Sequence, residues 1–239
     1  MPDALPFHLP APDEILRRRA QILGALLAAD EGLCAVPVRS IRHATLQTML
    51  SLYDSLFLGG FLARSYGQLP VTLSTRLTSA AGKFIYTRGS TPVRAEIRMS
   101  GDFLFRLTDG PFLLNGLNTA TAQEAFLVVF EHELCHAVEF ALYGATGHSQ
   151  RFLALANGLF GHTDTRHSLP TRRSEAARNG LTVGSCVSFP FENRTLTGIV
   201  SYIGKTVTVM VPDAHGGYRD ARGKRFAKYR VPVALVNKR

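Results

Sequence analysis

The sequence is poor in cysteine: its 239 residues include only Cys34, Cys135 and Cys186, which are far apart and form no C-x-x-C pair. This spacing excludes a cysteine-only zinc ribbon and argues against a disulfide framework, as is usual in a reducing cytosol. The N-terminus has no basic segment followed by an apolar one, so no signal peptide is predicted. No uninterrupted apolar run approaches the roughly 18 residues of a membrane span. We therefore expect a soluble, cytoplasmic protein without membrane contact.

Acidic residues are scarce only in the last third of the chain. Residues 1–165 contain 13 Lys and Arg against 14 Asp and Glu, a balance of −1. Residues 166–239 contain 14 against 4, a balance of +10, and so carry the entire positive excess. A neutral body with a basic C-terminal region favours a polyanionic partner. The alternative explanation is that this positive excess only makes the protein more soluble.

The spacing of apolar residues predicts helices and strands in the first two thirds of the chain. Helical periodicity is found at about 13–29, 41–57, 119–142 and 149–160. Between the second and third of these, short runs rich in Val, Ile, Thr and Tyr predict strands at 71–77, 83–88 and 93–100. This mixture of segregated helices and strands predicts an α+β fold.

The last part of the sequence has a different pattern. Residues 165–180 are polar and basic without an apolar period, which is typical of a linker. Beyond it, short β-like runs joined by Gly, Asn and Asp turns predict a small antiparallel β-barrel. The predicted organisation is therefore a domain at 1–164, a linker at 165–180 and a basic β-barrel domain at 181–239.

A metal site is indicated by the motif H-E-x-x-H, at His132, Glu133 and His136, within the strongest helical run. Residues at i and i+4 lie on the same face of a helix, so both imidazoles can bind one cation. Zinc accepts imidazole nitrogens in a tetrahedral shell, and a hydrolytic site leaves the fourth position open. Glu133 lies near that position and can take a proton from water there. The spacing directs Cys135 away from this face, where a small buried apolar role is expected.

The third ligand is predicted to be His148. Gly144 and Gly147 let the chain leave the first helix and turn back, and Ser149 can cap the next helix. His162 and His167 are the alternatives, although both lie beyond the second helix and must reach further.

These segments together resemble the SprT-like (Spartan-like) zinc metalloprotease family. The resemblance rests on LYDSLFLGGFL, strands ending in IRMS, HELCHA and GHSQRFLALANGLFG, and it covers about residues 40–162. It implies a helical zincin-type protease domain with a short sheet, His132, His136 and His148 as Zn²⁺ ligands, and Glu133 as general base. It also implies hydrolysis of proteins bound or crosslinked to DNA, and hence a role in DNA repair. The cysteine zinc ribbon that many members carry is missing here, and a basic β module follows instead.

Two classes of function fit the sequence. The first is a zinc-dependent endopeptidase, for which Tyr143 is a candidate oxyanion stabiliser or simply a packing residue. The second is a zinc-stabilised nucleic-acid-binding protein without protease activity. Glu133 favours the first, because a structural zinc site closes its fourth position with a protein ligand and needs no adjacent glutamate.

The basic β module is predicted to contact DNA. Interleaved basic and aromatic residues can hold phosphates and stack bases, and Tyr218 and Tyr229 lie among a run of cations. Docking of a protein partner is the alternative for this module. The predicted nucleic-acid-binding residues are Arg219, Arg222, Lys224, Arg225, Lys228 and Arg230.

Overall fold

The computed structural model describes residues 5–87, 94–108, 110–166, 169–170, 172–178 and 180–239. These residues form two compact units, Met1–Leu169 and Pro170–Arg239. Arg88, the last residue of one predicted strand, and Val93, the first residue of the next, lie outside the described residues, as does the candidate ligand His167. Within the ranges given, no helix has both the length and the apolar character needed to cross a membrane.

The first unit is a helical assembly with a small sheet. Its helices are α1 Pro12–Ala29, α2 Glu31–Cys34, α3 His43–Leu58, α4 Phe61–Tyr66, α5 Gly101–Leu104, α6 Ala122–Tyr143 and α7 Gln150–Phe160. Its strands are β1 Val71–Ser74, β2 Gly82–Thr87, β3 Arg94–Ser100, β4 Phe112–Leu114 and β5 Leu117–Thr119. β3 pairs parallel to β1 and antiparallel to β2, giving the order β1-β3-β2, while β4 and β5 form a separate hairpin. The predicted α+β class is confirmed.

Helix α6 forms the centre of the first unit. A capping box fixes its start: the Thr121 hydroxyl accepts from the Glu124 N–H, and the Glu124 carboxylate accepts from the Thr121 N–H. Gly144 ends the helix at φ +68°, a left-handed conformation that residues with a side chain rarely adopt. Most of its side chains are buried, and it packs against α7 and the edge strand β2. This burial holds the motif helix rigidly beside the edge of the sheet.

A buried carboxylate ties the N-terminal helix to α6. Glu131 is fully buried, and its two oxygens accept from Arg19 Nε and Nη2 at 2.8 Å each. The Tyr53 hydroxyl donates to the same carboxylate at 2.8 Å, and His162 Nε2 does so at 3.0 Å. Burial by itself raises the pKa of Glu131, but Arg19 and His162 outweigh it, so this pKa is lowered. Glu131 is therefore held as an anion inside the core.

The second unit is an open antiparallel sheet. It comprises helix α8 Arg172–Arg178 and strands β6 Cys186–Phe191, β7 Arg194–Ile203, β8 Thr206–Pro212, β9 Tyr218–Arg219, β10 Arg225–Pro232 and β11 Asn237–Lys238. The strand order is β11-β6-β7-β8-β10-β9. The predicted antiparallel strands are present, but the predicted barrel is not observed, because β11 and β9 remain two separate edges in the described part of the chain.

The predicted linker at 165–180 contains helix α8, which the apolar pattern of this segment does not predict. Ala176 is buried in the same apolar cluster as Leu181 and the inner residues of the sheet, such as Val187 and Val231. This packing against residues of the following strands stabilises the short helix.

Removal of Arg19 tests the buried network. Arg19→Ala is expected to lower the free energy of unfolding by roughly 3 kcal/mol, because Glu131 loses the cation that compensates its burial. Denaturant unfolding measures this loss. The matched control is Arg17→Ala on the same helix, where the side chain is 75% exposed and a change within about 0.5 kcal/mol is expected. Equal effects of the two substitutions would contradict the network.

Candidate metal centre

Three imidazoles converge on one point beside α6. His132 and His136 lie one turn apart on the helix, and His148 approaches them from the loop before α7. His148 Nε2 lies 2.9 Å from His132 Nε2 and 3.2 Å from His136 Nε2. The potential ligand atoms of the three residues all lie within 4.8 Å of one another. The structure thus brings together the three histidines that the sequence analysis selected.

The donor set fits a single cation. Each Nε2 offers one lone pair or one proton, so three of these atoms around one point cannot all satisfy each other. Imidazole nitrogens at 2.0–2.1 Å from a tetrahedral zinc lie about 3.3 Å apart, close to the spacing observed. His132, His136 and His148 could therefore hold a metal ion with one position left over.

A hydrogen-bond relay sets the protonation of His136. The Thr146 hydroxyl donates to Glu139 Oε2 at 2.8 Å, so its oxygen accepts from His136 Nδ1–H, also at 2.8 Å. With the proton on Nδ1, the Nε2 lone pair of His136 points toward the other two imidazoles. Burial and the neighbouring His148 lower the pKa of His136 to about 4. This imidazole is therefore neutral at physiological pH, as a metal ligand must be.

Glu139 also shapes the loop that carries His148. Its carboxylate is fully buried, and it accepts from the Gly147 N–H at 3.0 Å and from Arg151 Nε at 3.0 Å. Together with the bond from Thr146, these contacts close the turn between α6 and α7. Ser149 then caps α7 by accepting from the Phe152 N–H. His148 is consequently held between a satisfied carboxylate and a capped helix.

The triad rests on an aromatic ring. Phe152 is fully buried, and its ring centroid lies 5.0, 4.4 and 5.2 Å from those of His132, His136 and His148. Such ring packing limits the rotation of all three imidazoles. The sequence analysis had not assigned a role at the centre to Phe152, Glu139 or Thr146. A usable signal was the Glu139 carboxylate itself, since a charge in an apolar helix requires partners.

Glu133 lies beside the triad against the edge strand β2. A Cβ added to Gly82 would come within 2.6 Å of Glu133 Cγ, so this position needs glycine for the carboxylate to fit. Burial raises the pKa of Glu133 to about 7, while the Phe84 N–H and the Lys83 charge act in the opposite direction. Together with the three histidines, Glu133 lines a cavity of about 340 Å³, which also includes Ala80, Ala81, Phe84, Leu114, Asn115 and Thr165.

The alternative residues lie elsewhere. His162 is buried and faces Glu131, away from the point where the triad converges, and its Nδ1 has no hydrogen-bond partner among the residues that the structure describes. Tyr143 stacks under the Arg151 guanidinium at 4.1 Å and is not among the residues that line the cavity, as expected for a packing residue. Cys135 is fully buried, and burial raises its pKa well above the usual value.

The six predicted nucleic-acid-binding residues of the second unit are all exposed. Lys228 and Arg230 project from the outer face of β10, whereas Arg219, Arg222, Lys224 and Arg225 follow the β9–β10 hairpin. Tyr229 lies on the opposite, inner face, where its ring packs at 5.5 Å from Phe189 and 5.0 Å from Phe191. The alternation of β10 thus leaves Tyr229 half-buried, whereas Tyr218 is exposed.

An H-E-x-x-H helix, a third histidine on a following loop and an adjacent carboxylate define a site of the zincin metalloprotease type. Comparison with known families agrees: the SprT-like family model matches residues 46–173, and the chain belongs to this family. The resemblance drawn from the sequence is thereby confirmed. No curated protein matches the chain.

The choice of third ligand can be tested by metal content. His148→Ala is expected to lose most of the bound zinc, since two imidazoles remain. His162→Gln should keep it, because His162 contacts Glu131 and a glutamine amide can still donate there. Elemental analysis of both purified variants against wild type gives the answer. Full zinc in His148→Ala with loss in His162→Gln would assign the third ligand to His162.

The relay can be tested at Thr146. Thr146→Val keeps the size of the side chain but can neither accept from His136 nor donate to Glu139. We expect zinc affinity to fall by about 10- to 100-fold, the usual effect of removing such a partner. Thr146→Ser, which retains the hydroxyl, should bind as wild type. Competition with a chelator measures the dissociation constants, and wild-type affinity in Thr146→Val would show that the relay does not orient His136.

Proposed function

We propose that this protein is a zinc-dependent endopeptidase that hydrolyses proteins bound or crosslinked to DNA. The observation that carries the proposal is the convergence of three Nε2 atoms next to the Glu133 carboxylate in one cavity. The cofactor proposed is Zn²⁺, held by His132, His136 and His148. When bound, zinc would polarise a scissile carbonyl and lower the pKa of water.

Glu133 is proposed as the general base. Its carboxylate lines the cavity next to the triad, and Gly82 leaves room for it there. The raised pKa of about 7 suits a group that must both take and return a proton near neutral pH. In this scheme Glu133 removes a proton from the attacking water and passes it to the leaving amine.

Substrate binding is proposed along the same cavity. Residues 80–84, which lead into and begin the edge strand β2, line this cavity together with the three histidines. Asn115 and Thr165 add polar groups to the lining. A volume of about 340 Å³ lies within the usual range of ligand clefts.

The DNA-linked part of the proposal is supported by charge. The described cations of the second unit are concentrated on β10 and on the hairpin before it, and the six named above are exposed. Protein substrates near DNA would be brought to the protease by contacts that neutralise phosphates. We further propose that the protein acts in the cytoplasm, on DNA-associated substrates.

Glu133→Gln tests the chemistry. The variant should keep zinc and its thermal stability but lose proteolysis by on the order of 10²-fold or more, since the amide cannot accept a proton. Cleavage of a protein crosslinked to an oligonucleotide, and of the same protein without DNA, is the measurement. Glu31→Gln, at an exposed carboxylate of α2, is the matched control and should cleave as wild type.

Two outcomes would count against the proposal. Undiminished cleavage by Glu133→Gln would place the general base elsewhere. A wild-type protein that holds zinc but cleaves neither substrate would favour a metal-stabilised binding protein.

A further inference from the structure

The outer face of the sheet in the second unit carries a groove of about 330 Å³. It is lined by Ser201, Tyr202, Lys205, Thr206, Thr208, Met210, Tyr218, Lys228 and Arg230. Among these described residues none is acidic, and three are cations. Tyr202 is 58% exposed and Tyr218 49% exposed, unusually high values for aromatic residues on a sheet. The groove therefore combines aromatic surface with positive charge.

A β-bulge exposes Tyr202. In regular alternation, Val200 and Tyr202 would face the same side of β7, and Val200 is buried in the core. The register between β7 and β8 shifts between these two residues, so that Val200 pairs with Val209 and Tyr202 with Thr208. The extra residue, Ser201, turns Tyr202 to the outer face. Bulges that re-aim one side chain are found next to functional sites.

The position of the Tyr202 ring is further defined by Gly204. A Cβ at Gly204 would come within 2.8 Å of Tyr202 Cε1, so the ring lies against the backbone of the β7–β8 turn. Thr208 pairs with Tyr202 on one side and with Arg230 on the other, which places the guanidinium two strands from the ring. The Tyr202 ring is thus supported by the backbone of the turn and lies on the same face of the sheet as Arg230.

Tyr218 provides the second aromatic element. It is on β9, paired with Phe226, and Lys228 Nζ lies 5.4 Å from the centroid of its ring. Adjacent strands are about 4.8 Å apart, so Tyr202 on β7 and Tyr218 on β9 are separated by roughly 14 Å across the strands. The register also offsets their backbones by four residues, roughly 13 Å, along the strands. Between them the floor consists of Thr208 and Met210, which are small or flexible.

We propose that this groove binds single-stranded nucleic acid, with bases stacked on Tyr202 and Tyr218 and phosphates held by Lys205, Lys228 and Arg230. The proposal deepens the DNA association proposed above and rests on it. Ring faces can stack only with unpaired bases, since those of a duplex are already stacked on each other. The cations exclude a basic peptide, and an acidic peptide would leave the two ring faces without a counterpart.

The test compares ligands with the same backbone. The full-length protein is titrated with oligothymidine of about 16 nucleotides, with an abasic strand of equal length and with a duplex. Oligothymidine should bind tightest. Tyr202→Ala with Tyr218→Ala should weaken that binding by roughly tenfold to a hundredfold and remove its advantage over the abasic strand. The matched Tyr→Phe pair, which keeps the rings, should bind as wild type.

Salt dependence separates stacking from charge. Replacing Lys205, Lys228 and Arg230 by Gln should reduce the slope of log K against log salt by about 2, from three phosphate contacts on a single strand. The tyrosine variants should keep the wild-type slope. Three results would each overturn the proposal. The first is equal affinity for oligothymidine and the abasic strand, and the second is tighter binding of the duplex. The third is undiminished binding by the Tyr→Ala variants with unchanged thermal unfolding. Loss of proteolysis in Glu133→Gln with intact oligothymidine binding separates this groove from the protease site.

Discussion

The buried carboxylate of Glu139 connects the helix that carries two histidines with the loop that carries the third. It accepts from the Thr146 hydroxyl, the Gly147 N–H and Arg151 Nε, and these three bonds hold the turn between α6 and α7 in place. Through Thr146 it also fixes the proton on His136. The convergence of the imidazoles therefore depends on one carboxylate that is fully shielded from solvent.

Besides the capping residue Glu124, helix α6 carries three glutamates whose surroundings assign them different tasks. Glu131 is paired with Arg19 and stabilises the attachment of α1. Glu139 organises the loop before α7. Among the described residues no buried cation pairs with Glu133, and burial raises its pKa, which suits a group that exchanges protons. Residue type alone does not separate these tasks; the partners supplied by other elements do.

The local features of the site were predictable from the sequence. His132 and His136 share a helix face by spacing alone, and glycines around His148 permit the return of the chain. The boundaries of the four predicted helices agree within three residues, because capping residues such as Thr121 and Gly144 act locally. The SprT-like motifs, which extend through α7, were specific enough to identify the family.

Features that depend on distant contacts were not predictable. The roles of Glu139 and Thr146 arise only when the loop folds onto α6. Helix α8 forms because Ala176 finds a place in the second core, and its own sequence gives no apolar period. Closure of the second sheet into a barrel depends on whether its edge strands β9 and β11 pair. The alternation of apolar and polar residues along the strands does not predict this pairing. In a regular strand Tyr202 would point to the same side as the buried Val200. The bulge between them turns Tyr202 to the outer face instead.

The central claim is that three histidines bind zinc and leave a fourth position for chemistry. Zinc K-edge X-ray absorption on the purified full-length protein tests this most directly, because it reports the ligand types and distances together. The account predicts three imidazole nitrogens at about 2.0 Å and one further light scatterer without an imidazole pattern. A sulfur ligand at about 2.3 Å, a fourth imidazole, or absence of zinc from protein prepared with zinc present would contradict it.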